Sequence, residues 1–399
     1  MITKRDIVVV GIQAWDIEIG SNCKNIATEF AKNNRVLYVN PPLDRSTLKR
    51  ERHTEKIKKR INVKQGKEND LVHVADELWT LYPKTMIESI NWLPFHGLFK
   101  LLNKRNSKIF ANDIALAIER LKFKNILLFN DSSMFLGLHL KEYLQPYSYT
   151  YYMRDYLVRV PYWKKHGERL EPQVIKKADT VVSNSTLYAE YGAQYNAKSY
   201  MVGQGCDVSL FNDEKDEIQL PEAFHEIPKP VIGYVGYLTS MRLNIELLEY
   251  MAKTKKEWSI VLVGPEDDDF KKSELHHLDN VYFLGSKDGA ELPAYVKGFD
   301  IAINPQVVND WTIGNYPRKI DEYLAMGKPT LATKTKAMGM FQDHVYLAST
   351  NEAYITLAEQ ALSENSQGLI SKRIAFAKGH TWKNNVLAIY EAMKKTAVL

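Results

Sequence analysis

Only two cysteines, Cys23 and Cys206, occur among 399 residues. No disulfide framework can be built from them, and a reducing compartment is expected. No apolar run reaches the roughly 18 residues that a membrane-spanning helix requires. No G-x-G-x-x-G follows a strand, which argues against a classical NAD enzyme, and the absence of G-x-x-x-x-G-K-[ST] excludes a P-loop NTPase. Neither C-x-x-C nor H-E-x-x-H is present, so nothing points to zinc. Charge of one sign is also scarce: 53 basic residues stand against 48 acidic ones, so local clusters carry more information than the sum. The opening stretch MITKRDIVVVGI has too short an apolar segment for a signal peptide and runs straight into a polar loop and a helix pattern.

What is present is ordinary globular protein, 45% hydrophobic and 25% charged, long enough for two or three domains. Continuous apolar strands alternate with helix patterns, the signature of parallel sheets covered on both faces. Strands are expected at Ile7–Ile12, Val36–Val39, Ile126–Phe129, Ser148–Met153, Thr180–Ser183 and Tyr200–Val202. A second series begins at Val231–Val235 and continues at Ser259–Val263, Val281–Leu284, Ile301–Asn304 and Thr330–Ala332. Helices are expected at about Ser21–Lys32, Ser107–Phe123, Met134–Tyr143, Gly167–Ala178, Thr186–Gln194, Leu243–Ala252, Leu292–Lys297 and Arg318–Met326, with a mostly helical tail from Asn351. The reading is two doubly wound α/β domains, residues 1–203 and 231–375, joined by a linker at 204–230. A last helix, 376–399, is expected to cross back to the first domain, and ligands are expected in a cleft beyond the strand ends.

The most informative segment is GNYPRKIDEYLAMGKPTLAT, residues 314–333. It reads as loop, helix and strand. Pro317 suits the first helical position. Gly327 suits the left-handed position after the last turn, and Pro329 prevents continuation. Lys319 and Glu322 share one helix face, Ile320 and Leu324 the opposite one. The helix start, with Gly314, Asn315 and Tyr316 before it and Lys319 beside it, is suited to an anion. A carboxylate one turn further along, Glu322, suits two ribose hydroxyls. An amphipathic helix with solvated Lys and Glu is the competing reading.

This run resembles the donor-binding segment of GT-B glycosyltransferases, above all the bacterial family 4-like enzymes, with their pattern P-x-K-x-x-E-Y-x-A-x-G-K-P. Further pieces agree in order. Residues 205–211, GCDVSLF, resemble N-G-V-D-x-x-x-F at the start of the inter-domain linker. VIGYVG at 231–236 resembles the first strand and glycine turn of the nucleotide domain, and VLVG at 261–264 and FLG at 283–285 its next strand ends. LPAY at 292–295 and DIAINP at 300–305 precede the donor loop. The resemblance covers most of residues 200–335. It implies a GT-B fold, a nucleoside diphosphate sugar as donor, Glu322 on the ribose, Lys319 near the diphosphate, and the Gly236 turn and the Gly314, Asn315 and Tyr316 amides near phosphate or sugar. Arg242, six residues past Gly236, is a second candidate for the diphosphate. Many family 4 members carry another glutamate where this chain has Asn315, so retaining and inverting outcomes both stay open. Asp267, Asp268 and Asp269 spell a D-x-D, but a GT-B enzyme needs no metal and the run is read as a solvated loop; no metal or other cofactor is expected.

The tract YYMRD, residues 151–155, ends an expected strand, and Asp155 there suits a general base on an acceptor hydroxyl. With ERLE at 168–171 and ADTVVSNS at 178–185 it resembles an inverting GT-B branch that includes the xanthan glucuronosyltransferase, whose base is an Asp in the matching loop. A loop ion pair between Arg154 and Asp155 is the competing reading, and His166 is a second candidate base. Lys49 to Lys67 holds nine Lys or Arg against two Glu, among them Lys56, Lys58, Lys59 and Arg60, and residues 90–108 interleave Trp92, Phe95 and Phe99 with Lys100, Lys104, Arg105 and Lys108. Such clusters suit an anionic membrane surface better than nucleic acid, for which no motif is present. A solvated charged face remains the plain alternative. The expectation is a glycosyltransferase of cell-surface or capsular polysaccharide assembly, cytoplasmic and peripheral to the inner membrane face, transferring from a UDP-sugar to a glycan or lipid-linked oligosaccharide. The competing functions are a GT-B-like UDP-sugar epimerase and a non-catalytic sugar-nucleotide or membrane-surface binding module.

Overall fold

A computed structural model describes residues 1–17, 21–213, 217–310 and 312–397. The chain divides into two units, Met1–Gly205 with Trp382–Leu399, and Cys206–Thr381. Each is described by itself.

The first unit is built on eight strands: β1 (Asp6–Gly11), β2 (Arg35–Val39), β3 (Leu71–Ala75), β4 (Leu78–Leu81), β5 (Leu127–Asp131), β6 (Ser148–Met153), β7 (Thr180–Ser183) and β8 (Ser199–Met201). Their order is β3-β4-β2-β1-β5-β6-β7-β8. All neighbours pair parallel except β3 and β4. The expectation of an all-parallel sheet therefore fails at this edge. β3 is a short hairpin partner, half-exposed to exposed along its length, and carries no buried apolar run that would announce it. The strand alternation divides the core. Val8, Val10, Leu128 and Tyr151 pack with the helices His96–Leu121 and Pro161–Lys177. Ile7, Val9, Leu127 and Tyr152 pack on the other face. There the helix Asn22–Ala31 meets Trp382–Lys394, whose Val386, Ile389, Tyr390 and Met393 complete the layer. Tyr390 stacks on Phe30, with centroids 5.4 Å apart, and its hydroxyl accepts from Asn34 at 3.0 Å.

The second unit has β9 (Val231–Val235), β10 (Ser259–Val263), β11 (Val281–Gly285), β12 (Ile301–Asn304), β13 (Thr330–Thr333) and β14 (Tyr346–Ala348), in the order β11-β10-β9-β12-β13-β14, all parallel. The order reverses between β9 and β12, so the ends of these two strands form the switch point where open α/β sheets bind ligands. In the first unit the corresponding point lies between β1 and β5. The helix Gln367–Lys378 runs past residue 375 and stays in the second unit, and the returning segment starts at Trp382.

Several elements differ from expectation. The long helix begins at His96 rather than Ser107, because its first turns expose Leu98 and Leu101 and so break the amphipathic pattern. The basic run forms two helices, Arg45–Glu51 and Glu55–Lys64, capped by Asp44 and Thr54. The triad of aspartates is no loose loop: Asp267 caps the short helix Asp268–Lys271 and also accepts from the Ser240 amide at 2.8 Å.

Candidate functional site

The switch point of the second unit brings together three of the expected donor residues. Gly236 directly follows β9 with φ +143°, and a Cβ built there would lie 2.1 Å from Cε of Lys319. The positive φ favours glycine here, and the end of the Lys319 side chain lies over the position that a Cβ would take. Lys319 Nζ stands 5.7 Å from the centre of the Tyr234 ring. Its helix, Arg318–Ala325, is fixed from below: the Val235 amide donates to the Tyr323 hydroxyl at 3.0 Å, and Tyr323 is fully buried. The helix stops at Gly327, φ +68°, with the Lys328 amide returning to the Tyr323 carbonyl at 3.0 Å. Pro317 takes the N-cap rather than the first helical position, with extended backbone.

Glu322, one turn into this helix, is half-buried. Its carboxylate has no hydrogen-bond or ion-pair partner among the described residues. Burial pushes its pKa up, offset only in part by Lys319 and Arg318. A carboxylate desolvated without a partner is costly unless something else satisfies it, and such groups cluster at functional sites.

The loop before the helix is ordered by its own bonds. Thr312 accepts at its carbonyl from Gln306 Nε2 at 2.6 Å, and from the Asn315 amide at 2.9 Å. Gly314 and Tyr316 are buried, Asn315 half-buried. Two residues that the sequence reading did not single out hold Tyr316: its hydroxyl donates to Asp321 at 2.7 Å, and His380 Nδ1 lies 3.2 Å away. The i, i+5 spacing of Tyr316 and Asp321 is a weak signal, and His380 is too distant in sequence to have been found. Arg242, the second candidate for the diphosphate, follows the Gly236 turn. It is exposed, its carbonyl accepts from Val307 at 2.8 Å, and its guanidinium has no bonded partner among the described residues. Lys328, part of the same motif, is spent elsewhere: its ammonium donates to the carbonyls of Lys297 and Phe299 at 2.7 and 2.8 Å, and burial lowers its pKa to about 8.

In the first unit, Arg154 and Asp155 follow β6. Arg154 is buried, and its Nε donates to Asp131, at the end of β5, at 2.9 Å. Burial pulls the arginine pKa down, but the carboxylates of Asp131 and Asp155 outweigh this and hold it above the ordinary value. Asp155 is 47% exposed and lies 3.5 Å from Arg154. Asp131, fully buried with no hydrogen-bond partner for Oδ2 among the described residues, was missed because an aspartate closing a strand pattern reads as a turn residue.

His166 is spent on packing. It is buried, stacks on Phe99 at 3.8 Å between centroids, and its Nε2 lies 3.1 Å from the Leu93 carbonyl. Burial lowers its pKa. Of the four basic residues assigned to a membrane face, Arg60 does not belong there: it is buried in a bidentate pair with Asp16, both contacts 2.8 Å. Lys59 is half-buried with its ammonium 4.0 Å from the Tyr82 ring centre. Lys56 and Lys58 are exposed, Lys58 pairing with Glu55 at 2.6 Å. Trp92 and Phe95 are 71% and 72% exposed. No described helix is long and apolar enough to cross a membrane, and among the described residues no cluster of three or more His, Cys, Asp or Glu could hold a metal ion.

Two Rossmann-like units, each a largely parallel sheet with its own switch point, make up the GT-B fold. Residues 229–364 match the family model described as Glycosyl transferases group 1, so the resemblance read from the donor segment holds at that level. Over 207 residues the chain is 27% identical to TuaH of Bacillus subtilis (strain 168), whose name assigns it to teichuronic acid biosynthesis as a glycosyltransferase. That match takes in 49% of this chain and spans about half, 51%, of the relative. Among solved structures, sucrose-phosphate synthase from Thermosynechococcus elongatus superposes with a TM-score of 0.65 at 15% identity, over 98% of this chain and 99% of that one. Anabaena Alr3699/HepE, crystallised in complex with UDP, superposes with a TM-score of 0.66 at 14% identity, over 98% and 100%. At these identities the likeness shows the fold.

Proposed function

We propose that the protein is a glycosyltransferase that moves a sugar from a nucleoside diphosphate donor, UDP-linked, to a hydroxyl of a glycan or lipid-linked glycan in polysaccharide assembly. The observation that carries this is Glu322: a half-buried carboxylate without a protein partner among the described residues, beside the Lys319 stem that crosses Gly236, in a segment matching Glycosyl transferases group 1. The UDP complex of the HepE neighbour and the teichuronic acid assignment of the relative support donor and pathway class. In this reading Glu322 accepts from the ribose hydroxyls, and Lys319 with the Gly314 amide at the approach to its helix receives the diphosphate. Charge develops on the diphosphate as the glycosidic bond breaks, and donors fixed beforehand stabilise it. Asp155 takes the proton of the acceptor hydroxyl if the reaction inverts.

The exposed Trp92 and Phe95, with Lys56 and Lys58, are assigned to an anionic membrane surface on the inner face. The deciding experiment measures UDP release from UDP-sugars with and without a membrane glycan extract. Release that rises with the extract supports transfer. Interconversion of UDP-sugars without release would favour an epimerase, and UDP affinity without either reaction a binding module.

A further inference from the structure

A cavity of about 630 Å³ lies wholly within the first unit, at its own switch point, lined by Gly11 and Ile12 at the end of β1 and by Ser133 and Phe135 just beyond β5. Its volume is that of a small-molecule site. Phe99, Phe110, Phe135 and Trp163 supply aromatic wall.

The polar side chains that line it are mostly committed to the wall. Asp44 accepts from the Ser46 and Thr47 amides and from the Ser89 hydroxyl. Asn106 exchanges both of its amide groups with the Glu88 backbone at 3.2 and 2.9 Å. Glu88 pairs with Arg45 at 2.7 Å, and Arg50 with Glu51 at 2.7 Å. Asn103 donates to the Phe135 carbonyl, and Asn91 to that of Tyr162. A sugar ring needs several free donors and acceptors around it, whereas these walls offer mainly apolar area.

The rim adds a second observation. Trp92 lines the cavity and is also the first of a run of exposed apolar side chains, Trp92, Phe95, Leu98 and Leu101, 44 to 72% exposed. Beside it stand the exposed cations Lys100, Lys104, Arg105 and Lys108, with no ion-pair partner within 4 Å among the described residues. A contiguous apolar ridge of this kind marks an interaction surface, and its flanking cations suit an anionic lipid surface.

We infer that this cavity holds the hydrocarbon chain of a lipid-linked acceptor, entering past Trp92 from the membrane surface. The inference rests on the glycosyltransferase reading for the word acceptor, and on the cavity alone for the hydrocarbon. The test titrates the full chain with farnesyl phosphate below its micellar concentration, following tryptophan fluorescence, with inorganic phosphate, maltose and a twelve-carbon lysophosphatidylglycerol as separate arms. Saturable one-to-one binding of farnesyl phosphate is expected, with no response to phosphate or maltose. Phe135→Asp should weaken it at least tenfold. Where that variant fails to fold, Trp92→Ala, which removes an exposed ring, should weaken it about threefold. Maltose binding equal to that of farnesyl phosphate, or variants that bind as tightly as the parent, would overturn the assignment. Tighter binding of the lysophospholipid would give the cavity to bulk lipid and overturn the acceptor part. UDP affinity measured on the same samples separates the two readings. Intact UDP binding with no farnesyl phosphate binding sinks only the cavity proposal; the reverse result sinks only the donor site.

Discussion

Nδ1 of His380 lies 2.6 Å from Oδ1 of Asp321, while the other carboxylate oxygen of Asp321 takes the Tyr316 hydroxyl at 2.7 Å. The helix with Lys319 and Glu322 is thereby tied on its buried side to the loop before it and to the segment after Gln367–Lys378. Burial raises the Asp321 pKa, against the pull of His380 and Tyr316. Asp321→Ala would take the charged acceptor from both the buried Tyr316 hydroxyl and the half-buried His380, leaving them only each other at 3.2 Å, a loss of roughly 1–3 kcal/mol. Urea denaturation should show that loss, and calorimetry a weaker UDP affinity. Tyr316→Phe removes one bond to that buried carboxyl and should cost roughly 1.5–3 kcal/mol.

Glu322→Ala should weaken UDP binding by one to two orders of magnitude with stability kept, because a hydrogen bond to a charged group contributes roughly 1.5–3 kcal/mol. Removing a desolvated, unpartnered carboxylate should leave the unliganded protein as stable as before or slightly more so. Unchanged calorimetric affinity would take Glu322 out of the donor site.

Asp155→Asn should lower turnover by about 10²–10⁴ while donor affinity stays. Asp131→Asn acts one step behind it, by loosening Arg154. It should reduce stability, and its effect on turnover should be smaller than that of Asp155→Asn. Equal turnover in Asp155→Asn and the parent would point to retaining chemistry without this base.

The basic helices give a prediction with two opposite parts. Charge removal at Lys56 and Lys58 should weaken flotation with anionic vesicles at low salt, each cation contributing about 1 kcal/mol near such a surface. Arg60→Ala should instead destabilise the fold by roughly 3 kcal/mol, since it strands Asp16 without its partner. A thermal shift that is the same for both substitutions would contradict the buried pair.

Glu171 sets a pH dependence. Fully buried, it accepts from the Tyr151 hydroxyl at 2.9 Å, and burial raises its pKa to about 7 against the bonds from Tyr151 and Tyr191. The folded protein therefore keeps this proton where the unfolded chain, with an ordinary carboxyl, has lost it. Between the unfolded value and about pH 7, stability falls as pH rises, by up to about 1.4 kcal/mol per pH unit from this group. Above pH 7 the loss is complete. Glu171→Gln should flatten that slope relative to the parent, and be the more stable of the two at pH 8. Parallel stability curves for the two proteins from pH 5 to 8 would rule this out.

Much of this architecture was legible because its strands are buried on both faces. Apolar runs such as Ile7–Val10 and Ser259–Val263 announce themselves without help from context. The exposed β3 and the three-residue β14 have no such run and were not found. The donor helix was readable from local chemistry, since Lys319, Glu322 and Gly327 stand at fixed helical offsets. Its supports were not: His380 and Tyr323 act through contacts 59 and 88 residues away in sequence. Charge runs were the least reliable guide. Spacing shows that Arg60 and Lys58 lie on one helix, but burial alone decides that Arg60 pairs with Asp16 and Lys58 faces water.

The helix Trp382–Lys394 fills one face of the first unit although it is synthesised after the whole of the second. On the ribosome, residues 1–205 emerge with Phe30, Ile26 and Val9 lacking their cover, and wait through the translation of 176 more residues, Cys206 to Thr381. At ordinary synthesis rates of about 5–20 residues per second, that exposed apolar face persists for on the order of ten seconds or more. A nascent chain halted before Trp382 should be a chaperone client and a protease target in its first unit, while its second unit is already closed.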